Sequence, residues 1–151
     1  MADIQIVWNP AIGKGDWSVE GAQLTMGGDL DNAVLISLCT DRMAEPADAI
    51  PDSSNDPRGW WGDAYGDAAY PIGSRLWLLR RAKQTQDTLQ RAFDYITEAL
   101  QWLLDDGAVA SFDINVQWVA NGQLGAIVIG YKQDGTTVTQ NTFTWVWNGI
   151  A

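Results

Sequence analysis

Residues 112–131, FDINVQWVANGQLGAIVIGY, decide the fold. Phe112, Ile114, Val116 and Trp118 alternate with Asp113, Asn115 and Gln117, which is the period-two pattern of a strand with one buried face. Asn121-Gly122 then supplies the residues that a tight type I′ turn demands. With those two as the loop, Trp118 falls opposite Gly125, Val116 opposite Ile127, Ile114 opposite Ile129 and Phe112 opposite Tyr131, so both strands present large apolar side chains to one face. Asp134-Gly135 offers a second tight turn, and the same counting sets Gln140 against Ile129. Phe143, Trp145 and Trp147 then alternate in the opposite phase, so something interrupts the third strand. A bulge near Gln140-Asn141 repairs the phase within the sheet. Alternatively, residues 142–148 leave as an arm that pairs with a neighbouring molecule. The within-sheet reading is favoured, because consecutive strands usually lie side by side.

Immediately before the hairpin, Leu89, Phe93, Ile96, Leu100 and Leu103 recur at spacings of four and three, predicting a helix over 86–105. Thr85 suits its cap, Gly107 its left-handed stop, and Tyr95, Ala99 and Trp102 form a flanking stripe. Further upstream, 74–83 reads as a short helix capped by Ser74 with Leu76, Leu79 and Trp77 inward, and 31–42 as a helix capped by Asp29 or Asp31. The alternation of Ile4, Ile6 and Trp8 predicts a strand that Pro10 ends, and 13–28 holds one short strand or hairpin set in loop. The expected fold is α+β: a long amphipathic helix packed on a small antiparallel sheet, with a Trp-rich irregular loop.

At 151 residues the chain is expected to form one domain, with 1–28 its least determined part. A net charge of −10 opposes docking on nucleic acid or anionic lipid, and no window is apolar enough to cross a bilayer. The N-terminus lacks the basic start and apolar run of a signal peptide, so a cytosolic protein is expected. The lone Cys39 leaves no intrachain disulfide, and the absence of histidine removes the commonest general base and metal ligand; no metal and no cofactor is expected. Nine tryptophans stand out, and either a sugar platform or a protein interface accounts for them.

Residues 45–72 hold all but one of the prolines together with the block Arg58-Gly59-Trp60-Trp61-Gly62-Asp63, which predicts a long irregular loop. Residues 29–67 carry nine acids against Arg42 and Arg58. Asp63 and Asp67 flank Tyr65 beside two indoles, a superficial likeness to a glycosidase pair, but acids in a Gly-rich loop more often bind backbone N–H groups. Gly13-Lys14-Gly15-Asp16 lacks the spacing of a phosphate-cradling loop. The basic run Arg75, Arg80, Arg81, Lys83, Arg91 suits a helix end paired with acids of the loop or of a partner. Arg58 and Arg75 bracket the Trp-rich loop, where guanidinium groups can stack on indole and bind carboxylates. Arg58, Trp60, Trp61, Asp63, Arg75 and Trp77 are therefore the candidate residues, either anchoring the loop or touching a partner. Phe143, Trp145 and Trp147 are the candidates for a strand-exchange arm.

The block at 58–63, followed by Gly73-Ser74-Arg75-Leu76-Trp77-Leu78-Leu79, closely resembles the small baseplate protein family of Mu-like contractile-tailed phages. The likeness runs from about Asp31 to the hairpin near Asp134, and the family in turn resembles the wedge protein of T4-type tails and its type VI secretion counterpart. Wedge proteins of the T4 type carry Glu-Pro-Arg at the end of the long helix; this chain has Leu104-Asp105-Asp106-Gly107-Ala108, so contacts of that motif do not carry over. The resemblance implies a non-enzymatic structural subunit, present in several copies, in the virion tail baseplate and in host cytoplasm before assembly. Its implied partners are a larger wedge protein, a central hub or spike, and the tail sheath, whose assembly the subunit would start by exchanging strands. Two rivals remain: a carbohydrate-binding or peptidoglycan-cleaving tail protein, and a soluble homodimer with a self-complementary aromatic patch.

Overall fold

A computed structural model describes residues 3–9, 11–66 and 70–146. Those residues form an α+β arrangement of two α-helices and three small antiparallel sheets. In chain order, β1 (Ile6–Asn9) pairs with β2 (Lys14–Trp17), and β3 (Val19–Glu20) with β4 (Gln23–Leu24). Then come α1 (Asp29–Cys39), 3₁₀ turns at Trp61–Tyr65 and Arg75–Leu79, and α2 (Gln86–Asp105). The chain finishes in a meander of β5 (Ser111–Ala120), β6 (Gln123–Tyr131) and β7 (Thr137–Val146), ordered β5-β6-β7.

The hairpin between β5 and β6 departs from the register its turn alone dictates. Ala120 does face Gln123 across Asn121-Gly122, but Trp118 then faces Leu124, Val116 faces Ala126, Ile114 faces Val128 and Phe112 faces Gly130. Val119 is the extra residue of a bulge, and a Cβ built on Gly125 would stand 2.5 Å from its Cγ1, so the bulged side chain occupies space that only glycine leaves open. One residue of slip exchanges the faces of β6. Leu124, Ala126 and Val128 are buried, whereas Ile127, Ile129 and Tyr131, assigned inward from the sequence, lie on the other face and are only half-buried.

That bulge also removes the phase conflict of the third strand. Ile129 does pair with Gln140, and the ladder continues through Val128 with Asn141, Ala126 with Phe143 and Leu124 with Trp145. No irregularity falls at Gln140-Asn141; the one register shift of this ladder lies between Gly130 and Tyr131. Phe143 therefore points to the same face as Ala126 and is fully buried, its ring 5.7 Å from that of Trp8 and 5.6 Å from that of Trp145. In the isolated chain Phe143 and Trp145 thus belong to the sheet's own third strand rather than to a free arm; Trp147 lies outside the described residues.

Helix boundaries and caps follow local chemistry with instructive exceptions. Thr85 caps α2, its hydroxyl accepting the Thr88 N–H at 3.2 Å, and Gly107 adopts φ +76° just past the end. α1 starts and stops earlier than predicted and has Gly28, not an aspartate, at its cap. Its first-turn acids are engaged elsewhere: Asp29 accepts the Asp3 N–H at 2.9 Å, and Asp31 binds Thr139 and Asn141 of β7. Buried Asn32 holds the N-terminal segment, accepting from the Ile6 N–H and donating to the Ile4 carbonyl. The stretch at 74–83 makes only the 3₁₀ turn Arg75–Leu79, and Ser74 donates to the Leu38 carbonyl rather than capping it.

α2 buries Thr88, Ala92, Tyr95, Ile96, Ala99, Leu100 and Leu103. It packs against β5, the Arg75–Leu79 turn and α1, so its inward arc includes the Tyr95-Ala99 stripe, and Phe93 is left 37% exposed at the margin. Trp102, also on the margin, donates its indole N–H to Ser37 of α1 at 2.9 Å. The shared core joins α1, the Arg75–Leu79 turn, α2 and the inward face of the meander.

Candidate functional site

The irregular stretch between α1 and α2 contains many acids, and two arginines gather them. Arg75 donates to both oxygens of Glu98 on α2, at 3.0 and 3.1 Å, and to Asp48 at 2.8 Å, with Glu45 at 3.5 Å. Its guanidinium carbon lies 4.8 Å from the centre of the Tyr95 ring. Burial opposes its charge, but the bonds to Glu98 and Asp48 outweigh that and raise its pKa above the ordinary arginine range. Arg58 makes the second clasp, donating to Asp41 at 2.7 Å and more weakly to Asp52 at 3.4 Å while stacking 4.4 Å from the Trp77 ring centre. Trp77 is buried and donates its indole N–H to the Arg42 carbonyl. Each arginine thus ties two separate segments together through a planar fork of donors whose face stacks on an aromatic ring, a combination that a lysine ammonium does not offer.

Gly73-Ser74 locks the far end of this stretch beneath α1. Arg42 N–H donates to the Ser74 carbonyl, and Ser74 N–H to the Thr40 carbonyl. Gly73 has φ +98°, and a Cβ there would stand 2.4 Å from the Thr40 carbonyl oxygen. Gly73→Ala therefore combines left-handed strain with a backbone clash, and is expected to destabilise the fold by at least about 2 kcal/mol in urea unfolding. Asp63 also works inside the loop, its carboxylate accepting the Ile72 N–H at 3.0 Å.

Two candidates have no such anchoring partners among the described residues. Trp61 is 77% exposed and Trp60 44%; their rings are 5.5 Å apart, and Tyr65, 86% exposed, lies 6.3 Å from Trp61. Trp60 lies over Gly62, where a Cβ would meet the ring at 2.1 Å. A short 3₁₀ turn thus presents adjoining aromatic rings to solvent on a loop clasped at both flanks. Exposed, adjoining large aromatics of this kind mark interaction surfaces more often than they serve stability.

The family model of Phage protein GP46 matches residues 30–137. Over essentially the whole chain, the sequence is 41% identical to baseplate protein gp46 of Escherichia phage Mu, across 150 residues that cover 99% of this chain and all of that protein. The chain belongs to the Mu-like phage baseplate protein family. A second member, the Mu-like prophage FluMu protein gp46 of Haemophilus influenzae, is 38% identical over 152 residues, covering 98% of this chain and 99% of its own. The family-model match extends from the start of α1 to the beginning of β7 and so includes the Arg58 and Arg75 clasps and the exposed indoles.

In this baseplate-family chain the six loop candidates separate by environment: Arg58, Asp63, Arg75 and Trp77 make internal contacts, whereas Trp60 and Trp61 face outward. Asp63 spends a carboxylate oxygen on a main-chain N–H, and Asp67 lies outside the described residues. The expected pairing of the basic run with loop acids holds for Arg75, through Glu45 and Asp48, and not for Arg80 or Arg81 among the described residues; which carboxylates each arginine takes, Asp41 and Asp52 for Arg58 and Glu98 beyond the loop for Arg75, is not legible, because no local spacing relates them. Cys39 reaches solvent at the end of α1, yet the protein around its sulfur disfavours the thiolate and pushes its pKa up to about 12. At pH 8 its alkylation is expected to be at least about a hundredfold slower than that of an unstructured thiol, rising with pH and on unfolding, as an iodoacetamide time course would show.

Proposed function

We propose that this chain is a non-enzymatic structural subunit of a contractile-tail baseplate, acting as a single domain that docks on a neighbouring protein through Trp60 and Trp61. The observation that carries the reading is the pairing of two solvent-facing indoles with a loop held rigid by Arg58 and Arg75. Preorganisation matters because the ordering entropy of the loop is then lost on folding rather than on binding. Membership of a baseplate family supports the setting, the virion tail baseplate; the proposal adds that the subunit reaches it from host cytoplasm and is present in several copies per particle.

In this reading the docking partner is the larger wedge protein, which the subunit joins to the central hub or spike. The meander supports a role in starting the sheath, since β5 and β7 form its two edges and an incoming strand can extend either. Exchange involving Phe143 and Trp145 would have to replace the pairing they already make with Ala126 and Leu124.

The test is quantitative mass spectrometry of purified tails from phage lacking this gene and complemented with the wild-type chain. The chain is expected in the baseplate at a fixed ratio to the wedge proteins; a folded, soluble chain absent from complete tails would contradict the reading. Cell-wall sugar turnover that disappears in Asp63→Asn would replace it with an enzymatic one.

A further inference from the structure

The cations of this acidic protein are unequally used. Arg58 and Arg75 are held in ion pairs, and Arg91 donates to Tyr95. Arg80 and Arg81 are exposed and, among the described residues, make no ion pair; Lys83 follows directly. Both arginines line a cleft of about 620 Å³ between the β1–β2 hairpin, the end of α1 and the Arg75–Leu79 turn. Its apolar lining includes Trp8, Trp77, Trp145 and Ile12. Two carboxylates also reach it, Asp41 and Asp52, but Arg58 already binds both.

One further group is unexplained by the fold itself. The Trp8 Nε1–H is buried and has no hydrogen-bond partner among the described residues, whereas the indole N–H of Trp77 is satisfied by the Arg42 carbonyl. A buried donor without an acceptor is uncommon and calls for an explanation. The cleft thus combines three indole rings with two guanidinium groups that make no ion pair among the described residues, in a volume typical of binding sites, and the unsatisfied Trp8 donor lies buried in its wall.

We infer that this cleft takes an acidic peptide segment of a different protein, with carboxylates reaching Arg80 and Arg81 and an apolar or aromatic side chain entering among the indoles. A peptide supplies two complements at once: negative charge for the guanidinium groups and an apolar anchor for the ring-lined part of the cleft. Nucleic acid carries charge along its whole length and so meets the −10 of the entire chain, whereas a short segment seated in the cleft meets chiefly the guanidinium groups within a screening length of about 8 Å. A second copy brings its own −10 with it, whereas a short segment need carry only the carboxylates that face Arg80 and Arg81. The surface includes neither Trp60 nor Trp61 and stands independently of the docking role proposed for them.

The test pans a library of random displayed peptides, each about twelve residues long, on the immobilised full-length chain. Selected peptides are expected to be rich in Asp and Glu around an aromatic or aliphatic residue. The best of them, synthesised and labelled, should bind at least about tenfold more weakly to Arg80→Glu/Arg81→Glu and more weakly again when salt is raised. Arg80→Gln/Arg81→Gln gives the same direction without charge reversal, Trp8→Phe a loss of about threefold, and Trp60→Ala/Trp61→Ala no loss, circular dichroism verifying each fold. Neutral or basic selected peptides, or acidic ones that bind both arginine variants as tightly as the wild type, would overturn the inference. So would a wild-type dimer in sedimentation that the charge reversal dissolves, since the occupant would then be a second copy.

Discussion

Replacing Trp60 and Trp61 together by alanine is expected to leave the chain folded and to reduce its incorporation into tails by at least about a hundredfold. Buried interface tryptophans commonly contribute 2 kcal/mol or more each on truncation, so a pair corresponds to about a thousandfold in affinity before non-additivity is allowed for. The folded monomer loses little, because Trp61 is 77% exposed and its contacts are with Trp60 and Tyr65 at the same surface. Stability should therefore fall by no more than about 2 kcal/mol, most of it from half-buried Trp60. The two quantities are read separately, by urea unfolding of the purified chain and by its abundance in purified tails. Incorporation at wild-type level from the folded double variant would remove the docking role.

Phe143→Ala is expected to have the larger effect on stability, about 3–5 kcal/mol, with Tm lowered by about 10 °C or more. The ring is fully buried, paired across the ladder with Ala126 and flanked by the rings of Trp8 and Trp145. Phe93→Ala, at a margin of α2 that is 37% exposed, should lose no more than about 1.5 kcal/mol and serves as the comparison. The contrast bears on strand phase: if Phe143 stood on an unpaired arm, the two variants would be equally mild.

The phase of that strand also shows where sequence reading stops. Alternation in 112–118 and the Asn121-Gly122 turn lead directly to a hairpin, but which face β6 buries depends on Val119 bulging out, a choice made by packing across the sheet rather than by the turn. One such residue reassigns Ile127 and Ile129 to the outer face and brings Phe143 and Trp145 into phase three strands' width away in sequence. Caps behaved similarly. Thr85 serves the helix that follows it, because its hydroxyl meets only groups of that helix's own first turn, the Thr88 N–H and hydroxyl, whereas Asp29 and Asp31 answer to Asp3, Thr139 and Asn141, which are distant in sequence.

The candidate loop was legible as residue types and not as geometry. Arg58 and Arg75 stand out as stacking and ion-pairing groups, but their carboxylate partners extend from Asp41 to Glu98 and are brought together only by the fold. Trp60, Trp61 and Trp77 look alike in the sequence; Trp77 is buried because the turn at Arg75–Leu79 packs against α2 and its indole N–H meets the Arg42 carbonyl, while the turn at Trp61–Tyr65 carries its rings outward.

The most direct measurement of the docking account is an electron cryo-microscopy map of the assembled tail baseplate, read at Trp60 and Trp61. The account predicts both indoles buried against another protein chain, with the Arg58 and Arg75 clasps still closed behind them. Rings that remain open to solvent in the complete particle would contradict it.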